Sequence, residues 1–322
     1  MNSASASARR DGLKRTTPLV VWRLLDGKPG HENQTRGLVA GLRLHLEVEL
    51  FNFQAGSRTR GVWEWLTGTF RGAPGGFQRP PDLIIGAGHA THFPLLAAKR
   101  RYGGRTIVLM KPSLPPWMFD LCLMPEHDGA MPLEKVVPTL GVLNTIRPSE
   151  RLDPGKGLFL IGGPSKHYGW DNDSILQQIA EIIDHDSEIQ WRLTTSRRTP
   201  ESFLPKLRAI ASPTLSIVPY SDTGPQWVPG QLEEAGCVWA SEDSVSMVYE
   251  ALTAGGKVGA LTVPALGESR VNLGLLFLLE KRFVIPFTSW RTHGWEGRLE
   301  KRFCEAERCA EEVVKQWFSE LL

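Results

Sequence analysis

The chain has 322 residues, enough for two domains of ordinary size, and its 41% hydrophobic and 22% charged residues are the balance of a globular protein in water. A net charge of +2 excludes a general nucleic-acid binder, and no apolar run approaches the roughly 18 residues that span a bilayer. Cys122, Cys237, Cys304 and Cys309 form no CxxC pair, which argues against a disulfide framework or a zinc site and for a reducing, cytoplasmic setting.

Residues 1–17 are rich in Ser, Ala and basic residues, with Asp11 the lone acid. No apolar segment follows, so a secretory signal is excluded; a disordered tail is expected, with a transit peptide the other reading of such a composition. From Pro18 onwards short apolar runs alternate with helical patterns. The spacing predicts strand Leu19–Leu25, a helix over about 32–45, a strand near 46–53, strand 82–86, helix 90–101, strand 106–110 and strand 121–124. Short strands separated by amphipathic helices imply a parallel sheet covered on both faces.

The polar stretch RPSERLDPGKG, 147–157, reads as an interdomain linker. The alternation then restarts: strand 158–162, helix 174–184, strand 189–194, helix 201–209, strand 215–219, a strand ending near Ala240, helix 244–254 and strand 258–263. A final helix begins near Glu296. Two successive doubly wound units predict an α/β protein of two Rossmann-like domains, 18–150 and 151–290, facing across a cleft. Ligands in such sheets sit beyond the carboxyl ends of the strands.

The strongest local signal is SEDSVSMVYEALTAGG, 241–256. On a helical wheel Asp243, Ser246, Glu250 and Thr253 share one stripe, and the remaining positions are almost all apolar. Ser244 and Ser246 lie in the first turn, where free amides and the helix dipole favour a diphosphate. Glu250, one turn deeper, is placed to accept from ribose hydroxyls. The bland alternative is that Asp243 or Ser244 caps the helix and Glu250 pairs with a cation.

IGGPSKHYGWD, 161–171, offers Gly162 and Gly163 for close backbone approach to a phosphate, with Ser165 and Lys166 as donors. It matches neither GxxxxGK[ST] nor GxGxxG, so no dinucleotide cofactor is implied. Asp171–Asn172–Asp173 is read as helix capping rather than a metal-binding DxD. In TTSRRTPESF, 194–203, Thr199 reads as a helix N-cap, and Arg197 and Arg198 suit phosphate recognition.

In the first half, LLDGKPGHENQTRGL turns at Gly27, Pro29 and Gly30 and presents His31 and Gln34 at a helix start. A histidine there can act as a general base. Gly88, His89 and His92 lie at another strand end, and Glu126, His127 and Asp128 at a third. Proton transfer or acceptor contact suits these groups better than metal ligation, since no HExxH-like spacing occurs. The segment 56–81 mixes Arg58, Arg60, Arg71 and Arg79 with Trp63, Trp65, Phe70 and Phe77, a composition suited to an anionic membrane surface or a glycolipid; a surface excursion is the alternative.

Taken together, DGKPGHENQTRGL, FDLCLMPEHD, LIGGPS, TSRRTP and DSVSMVYEA resemble, in that order, the mitochondrial-fission family named from plant members and its bacterial relatives, over about Val20 to Phe287. That family is similar to GT-B glycosyltransferases and to nucleoside-diphosphate-sugar epimerases. The resemblance implies a donor held by Ser244, Ser246 and Glu250 and a reacting centre near Gly30 and His31. It also implies a closing helix within 291–322 that returns to the first domain. The sequence departs from the GT-B pattern around Val218–Asp222 and Gly255–Lys257, which leaves the donor base open. Three functions follow as expectations: glycosyl transfer from a nucleotide-sugar, with His31, Glu126 or His127 as base; epimerisation of the same sugar; or a non-catalytic adaptor on this fold.

Overall fold

The computed structural model describes residues 17–72, 79–210, 212–267 and 270–321. The expected tail lies outside them except for Thr17, as does Phe77. The chain divides into two compact units: 1–123, 132–137 and 306–322 form the first, and 124–131 with 138–305 the second.

The first unit is built on β1 (Leu19–Leu25), α1 (Pro29–Leu42), β2 (Val48–Gln54), α2 (Arg58–Thr67), β3 (Leu83–Ala87), α3 (His92–Tyr102), β4 (Arg105–Leu109), β5 (Leu121–Pro125) and β6 (Val136–Thr139). The six strands lie in the order β2-β1-β3-β4-β5-β6, and the pairs from β2 through to β5 are parallel. Trp22 is wholly buried on β1 and meets Phe53, Phe70 and Tyr102 with ring centroids 4.8, 6.1 and 5.1 Å away. Connections leave β1 towards β2 and then resume on its other side at β3, so the order reverses between β1 and β3. Such a switch point opens a crevice at the strand carboxyl ends.

The second unit comprises β7 (Asp153–Leu160), α4 (Asn172–His185), β8 (Gln190–Thr194), α5 (Phe203–Ala209), β9 (Leu215–Val218), α6 (Trp227–Leu232), β10 (Ala235–Ser241), α7 (Val245–Ala254), β11 (Lys257–Leu261), α8 (Arg270–Glu280), β12 (Ile285–Pro286) and α9 (Phe287–His293). Its parallel sheet runs β12-β11-β10-β7-β8-β9, and its order reverses between β7 and β10. Ile175, Ile179 and Ile182 of α4 pack with Trp191 and Trp239 in one cluster; Val248, Tyr249 and Leu252 of α7 pack with Leu278 and Phe303 in another. Asp171 caps α4, accepting from the amides of Asp173 and Ser174, as the sequence predicts.

Several elements differ from the sequence expectation. The stretch read as a linker already enters β7 at Asp153, because its Gly-rich half pairs with β10 and β8. Residues 138–150 belong to the second unit: Asn144 donates to Thr253 Oγ1 at 2.9 Å, and Gly141 lies so close to the Tyr249 ring that a Cβ would overlap it. The last helix, α10 (Glu305–Trp317), starts about nine residues later than expected. From Ala306 it belongs to the first unit, where a Cβ on Gly41 would lie 2.8 Å from Ala310 Cβ. Thr199 does not cap α5, whose N-cap is Ser202. Its hydroxyl is used within the preceding loop, accepting from the Ser196 amide and donating to Gly162 O.

Candidate functional site

Each switch point carries a cluster of chemically capable groups. In the first unit the centre is His31, in the first turn of α1, whose Nδ1 lies 2.8 Å from Asp26 Oδ2. The Asp26 carboxylate is nearly inaccessible (1%), and the His31 side chain keeps 19% of its surface. The other Asp26 oxygen accepts from the Lys28 amide at 3.2 Å, so the carboxylate is fixed by its own turn. With Nδ1 held by a carboxylate, the ring presents Nε2 as the working nitrogen, the arrangement of an oriented general base.

Two further residues hold this pair. Gly88, at φ +80° beyond β3, sits against the imidazole so closely that a Cβ would overlap Nδ1 and Cε1. Arg23, buried on β1, donates to Thr35 Oγ1 at 3.0 Å, to Asn52 Oδ1 at 3.2 Å and to Glu32 O at 2.9 Å, pinning the first turn of α1. Burial lowers the Arg23 pKa, opposed by nearby Glu32. Neither Asp26 nor Arg23 stands out in the sequence. Their partners come from β3, β2 and the far side of a turn, and DGKPGH read as punctuation alone gives no pairing.

The other residues expected on this side separate. His89 is exposed, Gln34 is buried in α1, and Gly30 is exposed with open space where a Cβ would stand. His92 is a core residue: it is 1% exposed, its Nδ1 is 3.1 Å from Ser113 Oγ, and its ring meets Phe119 edge-on. Burial, with His89 and Arg58 adding positive charge, lowers its pKa to about 4. Glu126 is exposed, whereas His127 is half-buried against Phe277 and Gly274 of α8, and desolvation lowers its pKa. Both belong to the second unit.

In the second unit the turn after β7 meets the turn after β10. The Gly162 amide donates to Ser241 Oγ at 2.8 Å, and the Gly163 amide to Asp243 Oδ2 at 3.0 Å. A Cβ on Gly162 would overlap the Asp243 carboxylate, and one on Gly163 the Arg198 backbone. Arg198 donates to Asp243 Oδ2 at 2.7 Å and to Gly163 O at 2.6 Å. The glycine amides and Arg198, expected on a phosphate, are thus spent in a brace across three loops. Asp243 has no exposed side-chain surface, and its Oδ1 is buried without a hydrogen-bond partner. The helical wheel puts Asp243 on its polar stripe; the residue lies instead in the turn before α7, because β10 runs on through Ser241.

What remains open is the amino terminus of α7. Its N-cap, Ser244, is buried and makes no side-chain capping bond, and Ser246 in the first turn is exposed. Glu250 is half-buried one turn further, while Thr253 at the far end is buried against Asn144. Arg197 is exposed, with its guanidinium 6.0 Å from the Tyr220 ring centroid. The Ser165 hydroxyl accepts from the amides of His167 and Tyr168, both at 3.2 Å, and so shapes its own turn. Glu242, half-buried beside Asp243, has its pKa raised by desolvation despite accepting from the Val263 amide. The brace spends its cation on Asp243, and the amide-rich end of α7 is the part suited to an anion.

Comparisons with known proteins agree with this architecture. The family described as mitochondrial fission ELM1 matches residues 29–317. An uncharacterised protein of Rickettsia prowazekii is 24% identical over 285 residues, 73% of this chain and 79% of that one. Among solved structures, the UDP-GlcNAc 2-epimerase of Methanocaldococcus jannaschii has a TM-score of 0.55 at 12% identity, covering 92% of this chain and 100% of that one. MurG of Acinetobacter baumannii has a TM-score of 0.51 at 13% identity, covering 94% and 100%. The fold is thus two Rossmann-like domains of the GT-B kind.

Proposed function

Since this chain belongs to the mitochondrial fission ELM1 family, we propose that it is a glycosyltransferase that takes a nucleoside-diphosphate-sugar donor on its second unit. The observation that carries this reading is the uncapped start of α7 at the β7/β10 switch point, beside a turn fixed by Ser241 and Asp243. The diphosphate lies on the first-turn amides and the Ser244 and Ser246 hydroxyls, with Arg197 adding charge from the neighbouring loop. Glu250 accepts from the ribose. Asp243 Oδ1, buried and unpartnered, is an acceptor for a donor hydroxyl rather than a phosphate ligand.

In the reaction, the acceptor oxygen forms a bond to the anomeric carbon while the bond from that carbon to the phosphate oxygen breaks. The nucleoside diphosphate leaves with the bonding electrons, and the acceptor oxygen gives up its proton to a base, the role for which His31 Nε2 is oriented within the first unit. Asp26 stabilises the imidazolium so formed.

The same reading places the acceptor on a lipid surface reached through α2. Trp63 and Leu66 are 48% and 61% exposed, and the Arg71 guanidinium lies 5.2 Å from the Trp63 ring centroid. Exposed apolar groups on α2 with a cation from the following turn beside them suit an anionic bilayer surface. No helix among the described residues is long and apolar enough to cross a membrane.

The test is thermal stabilisation by UDP-, GDP-, ADP- and CMP-sugars, repeated with Glu250→Ala, followed by assay of nucleotide release. Stabilisation by one diphosphate sugar, lost in the variant, supports the reading. Interconversion of that sugar without an acceptor would replace transfer by epimerisation, and binding without turnover would leave an adaptor.

A further inference from the structure

We propose that the acceptor served by the Asp26–His31 pair carries a phosphate group, held by cations from four adjacent strand ends of the first unit. This inference rests on the glycosyltransferase reading and names its second substrate more closely.

In the sheet order β2-β1-β3-β4, the segments that follow the carboxyl ends carry Arg58 (the first residue of α2), Lys28, His89 and Lys111 respectively, and all four residues are exposed. Independent details bring these loops together around His31. Gly88, the residue before His89, touches the imidazole. His92 Nδ1 joins the β3 loop to Ser113 of the β4 loop at 3.1 Å. Both Arg58 and His89 act electrostatically on His92, so both lie near the start of α3. Met110, just before Lys111, turns the chain at φ 71°, a strained conformation for a non-glycine residue and one that recurs at functional loops.

The balancing acids are few and engaged. Within 26–33, 55–60, 88–92 and 110–114 the acids are Asp26 and Glu32. Asp26 is taken by His31 and the Lys28 amide; Glu32 lies 3.9 Å from Arg36 and acts on the buried Arg23. The segments carrying Lys28, Arg58 and His89 therefore hold more cations than acids next to the proposed base. Cations spread over adjacent strand ends suit a tetrahedral dianion. A planar carboxylate is better met by one arginine fork.

The experiment follows the histidine imidazole resonances of the full chain by NMR, assigned with His31→Gln and His89→Gln. Glycerol 3-phosphate, glycerate and glycerol are titrated in turn, and nucleoside-diphosphate binding is measured separately on the same samples. Glycerol 3-phosphate is expected to shift His31 and His89 saturably, with glycerate and glycerol far weaker. Arg58→Gln combined with Lys111→Gln, both at exposed positions, is expected to weaken that binding about tenfold, and added salt to weaken it further. Phosphatidylcholine vesicles doped with phosphatidic acid distinguish the source: binding to them but not to glycerol 3-phosphate identifies a lipid headgroup, and binding to both identifies the phosphate alone. Equal shifts with glycerol or glycerate, no saturable shift with either phosphate, or an unchanged double variant would overturn the proposal. Phosphate binding by a protein that binds no nucleoside diphosphate would sink the donor reading and leave this site standing.

Discussion

The imidazole of His31 and the carboxylate of Asp26 meet at 2.8 Å, with the acid almost wholly enclosed and the ring still reachable from solvent. The carboxylate selects a tautomer: Asp26 accepts a hydrogen bond from Nδ1–H, and Nε2 is left as a lone-pair acceptor. Asp26→Asn would offer an amide in place of the carboxylate and destabilise an imidazolium on His31. Nitrogen-15 NMR of the neutral ring is expected to show Nδ1–H in the wild type and a tautomer mixture in the variant. Turnover is expected to fall by about 10²–10⁴-fold in His31→Gln, the usual worth of a positioned base. Equal turnover in both proteins would remove His31 from the chemistry.

Adjacent arginines are expected to behave oppositely. Arg198 braces Asp243 and the Gly163 carbonyl. Arg198→Ala leaves a buried carboxylate without its cation, a loss on the order of 2 kcal/mol. Arg197→Ala removes an exposed side chain and should change stability by less than about 0.5 kcal/mol, yet weaken nucleotide binding. Urea unfolding and calorimetric titration of the two variants check this; destabilisation by Arg197→Ala instead would reverse the assignment.

Gly162→Ala tests the same brace from the other side. The new methyl would collide with the Asp243 carboxylate. A cost of about 1–3 kcal/mol is expected, as for overpacking elsewhere. Urea midpoints measured with Gly30→Ala as a control should separate the two, since Gly30 has open space around it.

His92 makes a pH-dependent contribution whose sign follows from its environment. Its pKa falls from an ordinary 6.5 to about 4 on folding, chiefly through burial. The unfolded chain therefore binds the proton first, and stability is lost as pH falls from about 6.5 towards 4, by up to roughly 3 kcal/mol. Its imidazole resonance should titrate near pH 4 in the folded protein; a midpoint near 6.5 would contradict the burial argument.

Much of this architecture is legible in the sequence because the alternation of short apolar runs with amphipathic helices is local. So are the Asp171 cap of α4 and the Gly162–Gly163 turn. The pairings that give the sites their character are not local. Asp243 reaches back 80 residues to the Gly163 amide and 45 to Arg198. Gly88 comes to His31 only because β3 lies beside β1. A wheel drawn through 243–253 puts Asp243 and Thr253 on a ligand stripe; the strand that runs to Ser241 and the Asn144 contact remove both. The two residues of β12 are too few for any periodicity to mark them.

The most direct test of the central claim is calorimetric titration of UDP, GDP and ADP into the wild type and into Ser246→Asp. A carboxylate in the first turn of α7 should leave the fold intact, since it complements the helix dipole, while it occupies and repels at the diphosphate position. The account predicts saturable binding of one nucleotide by the wild type and at least a tenfold loss, about 1.4 kcal/mol, in the variant. Undiminished binding by Ser246→Asp, or no binding of any of the three by the wild type, would contradict it.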